Sequence, residues 1–131
     1  MREEDLEALR RGYEAWNRGD LGEVLALVDP DIEWRPGEDA PESGEFSGRD
    51  GFRQFIESWT ESFDDLRIEP QEMVEVGDDV VVVVRQRGRG HGSGIELDIT
   101  TVHVWTIRGG AAVAWTAYRS RDDALKALRD G

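Results

Sequence analysis

Apolar residues recur at two different spacings along this chain, and the change from one to the other divides it. Over residues 3–18, Leu6, Leu9, Tyr13 and Trp16 fall at helical intervals with charges between them, which predicts an amphipathic helix ending near Gly19. Asp20 followed by Glu23 forms a capping box. Leu21, Val24, Leu25 and Val28 predict a short second helix that stops at Asp29-Pro30. Ile32 and Trp34 alternate with Glu33 and Arg35 as in a short strand. After a polar loop at 36–46, Ser47 and Asp50 mark another helix start, and Phe52, Phe55, Ile56, Trp59 and Phe63 make its apolar stripe.

From Leu66 onward the period shortens to two. Leu66 to Val76 carries Pro70, which predicts an edge strand or a bulge. Gly77-Asp78-Asp79 is a turn, and Val80 to Arg89 is a strand that becomes basic at its end. The segment 88–94 (GRGHGSG) is a hairpin connection. Beyond it Ile95, Leu97, Ile99, Thr101, His103, Trp105 and Ile107 share one face of a long strand. Arg108-Gly109-Gly110 turns the chain into a last strand, Ala111 to Arg119, and Ser120 with Asp123 caps a terminal helix. The order α-α-β-α-β-β-β-β-α puts helices early and strands late. That is an α+β class with an antiparallel meander, read as a single domain over 1–131.

Composition narrows the function. A chain of 131 residues buries roughly 65–70% of its unfolded surface and needs no crosslinks. It has no cysteine, which excludes disulfides and thiol chemistry. The charged, amphipathic N-terminus is not a signal peptide, and the longest apolar run, Val80 to Val84, is too short to span a bilayer. A cytoplasmic location is the expectation. The formal charge of −13 argues against nucleic acid and anionic membranes as partners. His91 and His103 lack the spacing of a metal pair, so no metal or other cofactor is expected.

Three stretches carry a resemblance. Trp16-Asn17-Arg18-Gly19-Asp20-Leu21 with Val28-Asp29-Pro30-Asp31-Ile32-Glu33-Trp34, then Phe46-Ser47-Gly48-Arg49-Asp50-Gly51-Phe52, then His103-Val104-Trp105-Thr106-Ile107-Arg108-Gly109-Gly110 followed by Trp115 and Tyr118, together resemble SnoaL-like proteins of the NTF2-like superfamily. The resemblance implies a cone-shaped, cystatin-like α+β barrel. In it a bent antiparallel sheet is closed by three helices from the N-terminal half. It also implies a homodimer through the outer sheet face. The family includes ketosteroid isomerases, polyketide cyclases and epoxide hydrolases, so it implies a pocket without fixing a reaction.

His103 is the leading candidate for chemistry. It lies on an otherwise apolar stripe, at a place that resembles an acidic hydrogen-bond donor of the steroid isomerases. An imidazole there suits donation to a carbonyl or enolate oxygen. Tyr13 is a candidate for polarising a ligand oxygen, though Gly12 falls at the isomerase tyrosine position and Pro36 falls near the isomerase aspartate. Arg85 is a candidate carboxylate clamp, with Arg87, Arg89 and His91 on its face. No two inward acids match it in the manner of the epoxide hydrolases. Asp31 is a candidate base, though a residue so placed more often ends a helix turn or pairs with a nearby arginine. Trp16, Trp34, Phe55, Trp59, Trp105, Trp115 and Tyr118 are expected to line the pocket, Tyr118 only if a bulge brings it to the face of Trp115. Three readings stay open: a cofactor-free isomerase, cyclase or hydrolase acting on a small apolar molecule; a dimeric carrier for an aromatic compound; and an assembly domain whose pocket is only a core.

Overall fold

The computed structural model describes residues 2–35 and 48–130. The predicted loop at 36–46, Pro36 and Ser47 lie outside them. Helix α1 (Arg2–Arg18) and the short α2 (Leu21–Leu25) are followed by β1 (Val28–Arg35), α3 (Arg49–Glu61), β2 (Phe63–Val76), β3 (Asp79–Gly90), β4 (Glu96–Arg108), β5 (Ala111–Tyr118) and α4 (Arg121–Asp130). Asp20 caps α2, its carboxylate accepting from the Glu23 backbone N–H. Gly48 stands at the N-cap of α3, where the sequence pointed to Ser47. Its positive φ of 90° suits a residue without a side chain.

The five strands form one curved sheet in the order β1-β5-β4-β3-β2. The last four make the antiparallel meander expected from the period-two segments. β1 departs from it by pairing parallel to β5, so the sheet is mixed. Val28 begins β1 instead of ending α2, and it is buried. Pro30 lies where the β1–β5 register shifts between Val28 and Glu33, so the proline marks an irregularity inside an edge strand and not a helix stop. Pro70 adjoins a register shift on β2, the other edge.

The two faces of the sheet are packed differently. On the inner face, α1, α2 and α3 lay Leu9, Tyr13, Trp16, Val24, Phe52 and Ile56 over Val80, Val82, Val84, Trp105 and Trp115. On the outer face, α4 brings Ala124, Leu125 and Leu128 onto Val81, Val102, Val104 and Tyr118. Since strand side chains alternate, both parities of β3 are apolar at this end because both faces are covered. Beyond the reach of α4 the outer face is a ladder of ion pairs. Arg85 meets Asp98 through two hydrogen bonds of 3.0 and 2.8 Å, Arg87 meets Glu69, and Arg89 meets Asp65.

Candidate functional site

The inner face holds a cleft of about 250 Å³, lined by Trp16 of α1, Phe55 and Trp59 of α3, Gln86 of β3, Ile99, Thr101 and His103 of β4, and Trp115 and Ala117 of β5. A larger, polar groove of about 400 Å³ between α1 and β2 is walled by Arg10, Glu14, Glu69 and Glu72, with Tyr13 and Asn17 also lining it. The cleft is the apolar, partly enclosed hollow expected of a small-molecule site, slightly below the size of a drug-sized pocket.

His103 is 3% exposed and stacks edge-on against Trp115. Its Nδ1 lies 2.7 Å from the Tyr13 hydroxyl, and the Trp105 indole Nε1–H donates to that same hydroxyl oxygen at 2.9 Å. An indole N–H only donates, so the Tyr13 oxygen accepts from Trp105; among the described residues the Tyr13 proton has no acceptor besides His103 Nδ1, which assigns Tyr13 as donor to that nitrogen. Burial raises the Tyr13 pKa well above its ordinary value, against the lowering influence of the Trp105 bond, and keeps the hydroxyl protonated. Burial also pushes the His103 pKa down to about 3. The ring is therefore neutral at pH 7, with Nδ1 as acceptor and its one proton on Nε2. Among the described residues Nε2 has no hydrogen-bond partner, so the relay Trp105–Tyr13–His103 ends at the cleft wall with an unused donor.

Five of the candidates drawn from the sequence meet at this cleft: His103, Trp16, Phe55, Trp59 and Trp115. Tyr13 and Trp105, also expected at the pocket, stand behind its wall: Tyr13 stacks on Trp16 and hydrogen-bonds His103, and Trp105 packs on Trp115. Trp34 is a layer further out, packed on Phe55 and Phe52. Two expectations are corrected. Arg85 faces outward, because it pairs across β4 with Thr100, on the face opposite His103, and Asp98 holds its guanidinium there. The Arg85–Asp98 contact raises the arginine pKa and lowers that of Asp98, as two exposed partners do. Tyr118 also faces outward, toward α4. The register shift that bends β5 comes before Trp115, between the Thr106 and Ile107 pairings, so Trp115 and Tyr118 keep opposite parity.

Of the two cleft residues not singled out from the sequence, Ala117 and Gln86, the polar one is Gln86. It is 5% exposed, and its amide bridges Trp59 and Thr101. The connection 88–94 centres on residue 91, which would set Arg85 against Leu97 on the His103 face; the hairpin instead turns midway between residues 92 and 93, which sets Gln86 against Ile99 and turns Arg85 away.

The relay and the aromatic cleft sit on a recurrent architecture. The model of the SnoaL-like domain matches residues 9–115, and the chain belongs to that family. An NTF2-like protein of unknown function from Burkholderia pseudomallei shares 28% identity over 94% of this chain and 95% of that one, with a TM-score of 0.77. TerC, determined in co-crystals with polyporic acid, shares 25% identity over 98% and 99% of the two chains, with a TM-score of 0.75. SalBIII, an epoxide hydrolase/cyclase-like enzyme of pyran ring formation in salinomycin, shares the fold at 16% identity, covering 93% and 95%, with a TM-score of 0.76. No curated protein matches the chain.

Proposed function

We propose that the cleft binds a small, neutral, largely flat molecule through a carbonyl oxygen. His103 Nε2–H then donates to that oxygen and stabilises the enolate formed as the α-carbon proton passes to solvent water, as a cofactor-free isomerase or cyclase requires. The observation that carries this reading is the one-way relay from Trp105 through Tyr13, which leaves His103 a fixed neutral donor on an aromatic wall. A neutral imidazole held in one tautomer stabilises developing negative charge on oxygen without giving up its proton. The co-crystallisation of TerC with polyporic acid supports this fold as one that takes a ligand.

Binding without chemistry is the second reading. It is favoured by the absence of any carboxylate or amine among the described lining residues, which leaves no side-chain base to remove a carbon-bound proton. Deuterium exchange at the α-carbon of 2-tetralone, followed by proton NMR in D₂O, separates the two. Acceleration by the wild-type protein, retained in part by His103→Asn and lost in His103→Phe, supports enolisation. Binding with no acceleration leaves a carrier, and no binding removes both readings.

A homodimer through the outer sheet face belongs to the same reading. It would enclose the Arg85–Asp98 and Arg87–Glu69 pairs, so its association is expected to change with salt. Sedimentation at low and high ionic strength measures it.

A further inference from the structure

A second relay runs beside the first, and it too begins at an indole. Trp59 Nε1–H donates at 2.8 Å to the Gln86 side chain. Because the indole cannot accept, the Gln86 atom facing it is the carbonyl oxygen, which fixes the orientation of the amide. Gln86 Nε2 then donates to Thr101 Oγ1 at 3.1 Å. Thr101 accepts in that bond, and its hydroxyl proton has no acceptor among the described residues. His103 and Thr101 are two positions apart on one face of β4, about 6.6 Å along an extended strand. Both line the cleft.

We infer that the cleft recognises two acceptor oxygens on one molecule, His103 serving the first and Thr101 the second. Gln86 and Trp59 act as positioning residues that make Thr101 a donor. This rests on the carbonyl-binding reading above and adds a substrate class to it: a neutral diketone or quinone-like ring compound whose two oxygens are held apart across one ring. The described lining residues carry no charge, so an ionised ligand would lose its hydration with no counter-ion in return. A mono-oxygen compound would leave the Thr101 proton unused. The two one-way relays therefore discriminate by the number of oxygens as well as by shape.

The experiment uses the full chain and three matched probes: tetralin, 1-tetralone and 1,4-naphthoquinone, titrated by calorimetry. Each additional oxygen is expected to tighten binding by about tenfold. Thr101→Val removes only the step from tetralone to naphthoquinone, and Thr101→Ser restores it. His103→Phe removes the step from tetralin to tetralone. In ¹⁵N spectra of the wild type, the Trp59 indole N–H shifts more with naphthoquinone than with tetralone, since only the former engages the second relay. An undiminished naphthoquinone preference in folded Thr101→Val overturns the two-oxygen inference while leaving the His103 reading intact, as does an equal loss for both carbonyl probes. Equal affinity of the wild type for tetralin and tetralone overturns the His103 reading and this inference with it. Failure of all three probes to bind does the same.

Discussion

The two faces of β4 are built from neighbouring residues and follow opposite rules. On one face Thr101, His103 and Trp105 belong to hydrogen-bonded chains shielded by helices; on the other, Asp98 and Thr100 stand in water beside Arg85 and Arg87. The outer pairs are charged yet exposed, and exposed ion pairs contribute little because solvent and salt screen them. The inner groups are neutral or held neutral, and each is costly to leave unpaired. The strand thus keeps its charges where they matter least and its uncharged dipoles where direction counts.

The comparison breaks most readily in the inner core. Phe52 is 1% exposed and touches the rings of Trp34, Trp105 and Trp115. Phe52→Ala is expected to cost about 3–5 kcal/mol in urea unfolding at pH 7. Next comes acid. With the folded His103 pKa near 3 and its ordinary value 6.5, both states are neutral above pH 6.5. Below that the unfolded chain takes up a proton that the folded chain refuses. Stability from this group is therefore lost as pH falls from 6.5 toward 3, about 2–3 kcal/mol by pH 4.5. Unfolding free energies from urea titrations at pH 7 and 4.5 should fall further for the wild type than for His103→Gln by that amount.

Tyr13→Phe keeps the ring but strands the Trp105 N–H and His103 Nδ1, at an expected cost of about 2 kcal/mol in the same unfolding assay. It also frees the imidazole tautomer, visible as a change in the ¹⁵N signature of His103. On the opposite face, Arg85→Gln should leave the thermal midpoint unchanged within scatter. A large loss there would refute the contrast between the faces.

Much of the architecture was legible because helix and strand periods are local properties. The stripe Phe52–Phe55–Ile56–Trp59 and the run Thr101, His103, Trp105 and Ile107 each mark a face turned inward, with Ile99 at the exposed end of the second. The parallel seating of β1 was not legible, since nothing within residues 28–35 encodes a partner at 112–116. The side of Arg85 was misread for a related reason. In a run of five valines covered on both faces, hydrophobicity does not say which parity faces the cleft, and the charged residues drew attention to the wrong one. His103 was found because a lone imidazole interrupts an apolar face. Gln86 escaped because its significance depends on Trp59 and Thr101, which only the fold brings to it.

The parallel pairing of β1 with β5 also dictates a timetable. Trp34 lies opposite Trp115, and Val28 opposite Ala112, so among the described strands the first pairs with the last. During synthesis β1 emerges before the other described strands, and β5, its partner among them, emerges after them. The β2–β5 hairpins can zip up in sequence, but the amino-terminal edge must wait. Loop closure over such a distance slows folding relative to local pairing. Closing the sheet with β1 is thus expected to be a late event, completed only when the carboxyl-terminal strand has arrived.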